Sequence, residues 1–340
     1  MELHEMSTCK RTWPASRIAG TGSYVPDRVV TNDDLAKLVD TSDEWIQQRV
    51  GIRERRFAAP EQASSDLALE ASRRALQAAG LTEADLDMII VGTVTPDQPL
   101  PACAAFLQKK LGCKDIPSFD VSAACAGFLY SLSIADQFIR AGNARNILVV
   151  GVETLTRIID FTDRNTCVLF GDGAGAFILS RVDDDTRGRL LSTRIYTDST
   201  LTDALCIPAG GSKEPLTPEA LTARRNKVYM NGKDVFKVAV KKLSSASLEA
   251  MKEAELAPEQ IDWVVPHQAN LRIIDQVAAR IQVPYERVVI NIGERGNTSS
   301  ASIPIALDEA IRDGRVKPGH VVLMSALGAG ISWASAIARL

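Results

Sequence analysis

No apolar run in the 340-residue chain approaches the ~20 residues that a membrane-spanning helix needs. The longest strong runs, such as Ile147–Val152, have the length of a buried strand. A basic excess is also missing: 39 Lys and Arg against 42 Asp and Glu leave a net charge of -3. Proteins that hold nucleic acid by its phosphates carry such an excess, so nucleic acid and membrane are set aside as main partners. A local basic patch for an acidic partner remains allowed. The six cysteines (Cys9, Cys103, Cys113, Cys125, Cys167 and Cys206) form no C-x-x-C pair, and a chain this long needs no disulfide staples. Reduced thiols are expected. Histidine is scarce too. Of three, His4 sits in the first sixteen residues and His320 follows the turn Pro318-Gly319, which leaves His267 as the one well placed for chemistry. There is no Walker sequence, no H-E-x-x-H and no cluster of metal ligands. Gly171-Asp-Gly-Ala-Gly175 is followed by a strand and not a helix, so it fails as a dinucleotide loop. No cofactor and no metal is required. Residues 1–16 lack the apolar core of a secretory signal and read as a flexible extension, so a cytoplasmic protein is expected.

What is present is an ordinary globular composition, 46% hydrophobic and 24% charged, which excludes disorder and coiled coil. Strand and helix alternate. Ser64–Ala79 carries alanine and leucine on a helical period, with Ser64, Ser65 and Asp66 available as caps and Gly80 as the stop. Met88–Val91, Ser118–Val121, Ile147–Val152, Val168–Phe170 and Ala176–Val182 read as strands, and Ala126–Ala141 as a long helix before Gly142. Continuous aliphatic strands between helices predict a largely parallel sheet covered on both faces. The second half repeats the first. The segment from Leu81 through Asp87 to Ile90 resembles Leu256 through Asp262 to Val265, 175 residues later, and Arg140-Ala-Gly142 resembles Arg312-Asp-Gly314. The pattern predicts an α/β fold in two duplicated halves, residues 17–185 and 231–340. Residues 186–230 are expected to be inserted connecting loops that shape a pocket. In the register of the second match, 172 residues apart, Cys125 falls opposite Asn297; His267 ends the strand corresponding to Met88–Val91. A duplicated fold brings all three toward a shared axis.

Cys125 lies among small residues in Asp120-Val-Ser-Ala-Ala-Cys-Ala-Gly-Phe128, where a helix begins. The partial positive charge of a helix amino end stabilises a thiolate and lowers the thiol pKa. An isolated cysteine is more ordinarily a small buried hydrophobe. His267, in Trp263-Val-Val-Pro-His-Gln-Ala-Asn270, follows an apolar strand, where open α/β sheets place ligands. Its plain alternative is a strand-end histidine bonded to a carbonyl. Asn297, in Gly296-Asn-Thr-Ser-Ser-Ala-Ser302, is equally a loop residue or helix cap. A helix-start cysteine, one well-placed histidine and a loop asparagine related by duplication mean more together than each does alone.

These segments together resemble β-ketoacyl-acyl carrier protein synthase III, the initiating condensing enzyme of bacterial fatty acid synthesis. The similarity covers Asp120–Phe128, PHQANLRI and GNTSSASIP, and also TGSYVPDRVVTN, DTSDEWIQQRVGIRERR and DGAGA, spanning roughly residues 17–340. The resemblance implies a thiolase-like, five-layered αβαβα fold with two pseudo-twofold halves, a homodimer, and no metal. It implies that Cys125 takes an acyl group from an acyl-CoA, with the amides of Cys125 and Ala329 as oxyanion hole. His267 and Asn297 then hold the thioester oxygen of malonyl-acyl carrier protein as CO2 leaves. It assigns Trp45, Arg49, Arg164 and Asn270 to coenzyme A, which is a substrate and not a resident cofactor. Lys237, Arg272 and Arg280 are assigned to carrier-protein docking. Leu100 and Leu327 stand where the family often has phenylalanine lining the primer pocket, and Ala329 stands where it has glycine. The implied primer is therefore acetyl or longer. An acyltransferase or condensing enzyme of secondary metabolism is the alternative function. A non-catalytic carrier-binding subunit fits poorly because all three residues are kept, and a Cys-His-Asn protease does not fit the duplicated pattern.

Overall fold

The computed structural model describes residues 14–113, 115–183 and 188–340. Of the segment 1–16 read as an extension, residues 1–13, with His4 and Cys9, lie outside the described residues. Ala15 and Ser16 already belong to the first strand.

Two mixed sheets form the frame. The first contains β1 (Ala15–Tyr24), β2 (Met88–Gly92), β3 (Ser118–Val121), β4 (Asn146–Glu153) and β5 (Gly173–Val182), in the order β1-β5-β4-β2-β3. The second contains β6 (Arg189–Thr197), β7 (Trp263–Pro266), β8 (Val321–Gly328) and β9 (Ser332–Arg339), in the order β7-β8-β9-β6. A parallel bridge from Val264 to Val288 stands where a fifth strand would lie, so the sheets share one topology. Only β2, β3 and β4, and β7 with β8, run parallel; the other pairs are antiparallel. The expectation of a largely parallel sheet is therefore corrected. Three residues, Ala329–Ile331, separate β8 from β9, too few for the crossover that parallel neighbours require.

Helices α1 (Asp43–Val50), α2 (Ser64–Ala79), α3 (Cys103–Leu111), α4 (Gly127–Arg140), α5 (Gly232–Glu253), α6 (Leu271–Ile281) and α7 (Ser302–Arg312) complete the architecture. Side-chain alternation along β4 assigns the layers. Leu148, Val150 and Val152 pack with α2 and α3 on the outside, while Ile147 and Val149 face α4 and α7. Those two helices lie between the sheets, with Val322, Met324, Ala334 and Ala336 on their other side. At the centre Phe128 meets Phe177 edge to face at 4.8 Å. Helices α5 and α6 cover the outer face of the second sheet. The result is the five-layered αβαβα duplicated fold, whose core strands are apolar on both faces because helices cover both.

Three readings need correction. Val168–Phe170 is not a strand; only Phe170 makes a bridge, to Asn297. The stretch 186–230 is not all insertion, because β6 pairs along β9 and opens the second half. Its alternate exposure hid it from a search for continuous apolar runs. Third, Cys125 does not correspond to Asn297. Each half starts its central helix with a short 3-10 turn whose first residue is left-handed, Ala124 (φ 47°) and Ser299 (φ 49°). The offset of 175 residues thus pairs Cys125 with Ser300, Gly92 with His267 and Gly127 with Ser302.

Helix α2 has the expected bounds, but none of the expected residues is its N-cap. Ala63 is the N-cap, and Asp66 accepts its N–H at 2.9 Å. Ser64 and Ser65 instead bond outward to the Thr95 carbonyl and to Asp97, each at 2.5 Å. The two halves interlock through close backbone approach. A Cβ on Gly151 of β4 would collide with the Ser300 carbonyl, whose carbon lies 2.8 Å away. Gly151→Ala is expected to cost about 1–3 kcal/mol as overpacking of a rigid junction, read as a lowered urea midpoint with unchanged m-value.

Candidate active site

Cys125 sits in the 3-10 turn Ala124–Ala126 that leads into α4. The left-handed Ala124 bends the chain sharply enough to leave the next side chain facing a cavity. Against its amide lies the end of β8. A Cβ on Gly328 would collide with the Cys125 nitrogen and come within 2.9 Å of the Ala124 Cβ. The backbone that continues into Ala329 thus adjoins the Cys125 N–H, the neighbourhood in which two amides can face one oxygen.

His267 follows β7, and its N–H donates to the Ser325 carbonyl at 2.8 Å. Its ring is 4% exposed, and Nδ1 lies 2.6 Å from Ser302 Oγ. Burial pushes its pKa down to about 3, so the imidazole is neutral. Asn297 is fixed three times: its N–H donates to the Leu169 carbonyl at 2.8 Å, its carbonyl accepts from Gly171 N–H at 3.0 Å, and its Oδ1 accepts from Ser299 N–H at 2.8 Å. With Oδ1 committed, Nδ2 is left as the side chain's donor.

All three residues line one cavity of about 830 Å³, with Leu327 beside them. Trp45, Arg49 and Asn270 line the same cavity, as do the exposed Lys237 and Arg272. The guanidinium carbons of Arg49 and Arg164 lie 4.7 and 5.1 Å from the Trp45 ring centre. Arg164 reaches the site through that ring and is tied to the Asp40 carbonyl at 3.1 Å. Asn270 caps α6 by accepting from Arg272 N–H at 2.9 Å and donates to the Arg49 carbonyl at 3.3 Å. Two expected site residues lie elsewhere. Leu100 is 83% exposed and does not line the cavity. Arg280 is exposed near the far end of α6, outside the lining, about 12 Å along the helix from Arg272. Among the described residues no group of three or more His, Cys, Asp or Glu side chains is arranged to hold a metal ion.

Sequence reasoning missed Glu153. It ends β4 with no exposed surface, accepting from Thr95 Oγ1 at 2.6 Å, Ser300 Oγ at 3.1 Å, Ser299 Oγ at 3.2 Å and Val94 N–H at 3.2 Å. Burial raises its pKa to about 7, against the pull of these donors. The only signal was one acid closing a long aliphatic strand, which reads equally as a strand end reaching solvent. The expected lowering of the Cys125 thiol pKa meets an opposing effect. Burial pushes it up to about 12; Ser299 pulls it back and the neighbouring Glu153 carboxylate adds to the rise.

Residues 119–199 match the family described as 3-oxoacyl-[acyl-carrier-protein] synthase III, and residues 251–340 match its C-terminal part. Residues 37–156 also match the stage V sporulation protein AD family. The chain is 51% identical over 327 residues to the β-ketoacyl-[acyl-carrier-protein] synthase III of Xanthomonas campestris pv. campestris, covering 95% of this chain and 98% of that protein. The solved 3-oxoacyl-[acyl-carrier-protein] synthase III from Aquifex aeolicus superposes with a TM-score of 0.88 at 44% identity, over 96% of this chain and all of the other. The solved priming β-ketosynthase of a polyketide biosynthetic pathway superposes with a TM-score of 0.87 at 38% identity, over 95% and 96% of the two chains.

Two measurements test the electrostatics. Iodoacetamide alkylation of Cys125 should keep rising beyond about pH 9, past the ordinary thiol pKa. A plateau below about pH 8 would mean that the amino end of α4 outweighs burial. For Glu153, between its ordinary pKa of 4.5 and about 7 the folded state keeps a proton that the unfolded chain has lost. Stability therefore falls as pH rises through that window, by roughly 3 kcal/mol, and is flat above it. His267 acts oppositely, costing stability as pH falls from 6.5 toward about 3, so the reading must be a difference between variants. The stability of Glu153→Gln minus that of the unaltered protein should grow from about pH 4.5 to 7 and then level off. A difference independent of pH would mean that Glu153 titrates normally.

Proposed function

The chain belongs to the 3-oxoacyl-[acyl-carrier-protein] synthase III family, and from that premise we propose that it joins an acyl-CoA primer to malonyl-acyl carrier protein by decarboxylative Claisen condensation, initiating fatty acid synthesis. The observation that carries the proposal is the meeting of Cys125, a neutral His267 and an oriented Asn297 in a single cavity.

The chemistry follows from that arrangement. Cys125 sulfur attacks the acyl-CoA carbonyl, and the amides of Cys125 and Ala329 receive the oxyanion. Collapse forms acyl-Cys125, and the thiol proton leaves with coenzyme A as its free thiol. Malonyl-acyl carrier protein then enters, which makes the kinetics ping-pong. His267 Nε2 and Asn297 Nδ2 hold the malonyl thioester oxygen. As the C–C bond to the carboxylate breaks and CO2 departs, the electron pair becomes an enolate on that oxygen. The enolate carbon attacks acyl-Cys125, forms the β-ketoacyl product and releases the cysteine. A charged imidazolium is not needed, since preorganised neutral donors stabilise the growing charge in a water-poor site.

Coenzyme A thioester is substrate here, and no cofactor takes part. Trp45, with Arg49 and Arg164 beside it, suits an adenine ring and its phosphates, and Asn270 lies between that mouth and His267. Lys237 and Arg272, exposed at the cavity wall, form the face for the acidic carrier protein. The active species is a homodimer in the cytoplasm; among the described residues no helix is long and apolar enough to cross a membrane. Leu327 in the cavity wall favours a second reading for the primer alone. A leucine that replaces a phenylalanine leaves room for acyl chains longer than acetyl.

Cys125→Ala should abolish the acyl adduct seen by mass spectrometry after incubation with acyl-CoA. A variant that condenses normally would sink the proposal. His267→Ala and Asn297→Ala should each lower malonyl decarboxylation by about 10²–10³-fold while keeping the adduct. A panel of acyl-CoAs read by product mass then fixes the primer; turnover of acetyl-CoA alone would exclude the longer-primer reading.

A further inference from the structure

We propose that Ser302 is a positioning residue that holds His267 in the Nε2–H tautomer by donating its hydroxyl hydrogen to Nδ1. The proposal rests on the condensing reading for its purpose, but the tautomer can be observed without it.

The ring nitrogen and Ser302 Oγ lie 2.6 Å apart, and both are buried, with His267 4% and Ser302 2% exposed. Only one hydrogen can lie between them. If Nδ1 carried it, Nε2 would turn a lone pair toward the cavity and repel the oxygen it is meant to hold. If the hydroxyl carries it, Nε2 carries the ring hydrogen and presents a donor. The surroundings favour the second arrangement. Gln268 N–H points at the same hydroxyl oxygen from 3.5 Å. An amide N–H can only donate, so among the described residues Nδ1 is the one acceptor the hydroxyl hydrogen meets; were Nδ1 to donate as well, that buried hydrogen would be left unbonded. Gln268 is itself held, its Nε2 donating to the Pro266 carbonyl at 2.8 Å and its Oε1 accepting from Asn291 N–H at 3.1 Å. The amide that selects the hydroxyl's orientation is therefore rigid.

The duplication supplies an internal control. Gly92 stands in the first half where His267 stands in the second, and Gly127 stands where Ser302 stands. There the two glycines touch backbone to backbone, and a Cβ on Gly92 would come within 2.5 Å of the Gly127 carbonyl carbon. The fold thus makes this junction with no side chains at all. Histidine and serine occur together, in the half that supplies the thioester donors. The hydroxyl therefore serves the imidazole, because the scaffold closes without it.

The test uses the full-length protein labelled with 15N-histidine. There are three histidines in the chain, and the His267 ring signals are identified by their loss in His267→Ala. In the unaltered protein the ring should show a protonated Nε2 and an unprotonated Nδ1; a protonated Nδ1 would overturn the proposal by itself, even if no variant folded. Ser302→Ala should lose that preference. Its decarboxylation of malonyl-acyl carrier protein should fall about 10- to 100-fold, the usual effect of removing a histidine's outer partner. Acylation of Cys125 by acyl-CoA should change less than about threefold, since that step uses the backbone amides. Ser302→Thr, which restores a hydroxyl, should recover both tautomer and decarboxylation. Retention of the Nε2–H tautomer in Ser302→Ala, or an equal loss of acylation and decarboxylation, would mean that Ser302 only supports the fold and would overturn the proposal. If the unaltered protein failed to decarboxylate while its ring still showed Nε2–H, the condensing reading would fail and the tautomer assignment would stand.

Discussion

The end of β8 presses on the amide of Cys125 so closely that Gly328 has no room for a side chain, and much of the site depends on that contact. It joins the strand ends of the second sheet to the helix start of the first half. The left-handed Ala124 is tolerated because packing on both sides leaves the turn no alternative. The same contact sets the backbone that continues into Ala329 beside the amide of Cys125. A rigid pair of backbone donors needs no side chain to be ordered when charge develops, which is why such donors are effective.

Burial then sets the protonation of the groups around this junction. His267 is pushed toward its neutral form, and the Cys125 thiol and Glu153 carboxyl are pushed up. Among the described residues no charged group shifts His267, whose pKa is lowered by burial. The cationic side chains, Arg49, Lys237 and Arg272, are exposed residues of the cavity wall. Charge is thus kept on the exposed part of the cavity wall, and neutral donors stand where the wall is buried. Glu153 is the exception. Five neighbouring donors, two of them serines from the second half, compensate in part for its burial.

A duplicated backbone has produced an asymmetric site. Cys125 faces the cavity, whereas its counterpart Ser300 bonds inward to the Gly92 carbonyl at 2.8 Å and to Glu153. Gly92 and Gly127 close one junction without side chains; His267 and Ser302 fill the other. One half supplies Cys125 and the other His267 and Asn297, so the shared cavity needs both. The pseudo-symmetry explains why the two sets arrive on opposite sides of one cavity, and the substitutions at matched positions explain their different chemistry.

The sequence alone determined the elements whose signals are local. Helix Ser64–Ala79 followed from its alanine and leucine period and from Gly80, and β2 and β4 from short aliphatic runs. The 175-residue repeat was legible because matched strand starts keep similar residues. The small neighbours of Cys125, with the histidine and asparagine motifs, marked three residues that do line one cavity. Strand direction, the membership of β6 and the true counterpart of Cys125 were decided only in three dimensions. Strand direction depends on which strands become neighbours, the membership of β6 on a partner more than a hundred residues away, and the counterpart of Cys125 on a backbone angle that residue type does not dictate. Asn297 had looked like the match of Cys125 because it too precedes a helix, but the left-handed Ser299 matches the left-handed Ala124 and so puts Ser300, three residues on, opposite Cys125. Leu100, Glu153 and Ser302 make the same point at the site. Whether a leucine lines a pocket, a glutamate is sealed from water or a serine meets an imidazole depends on how two sheets stack, and stacking is a property of the whole chain.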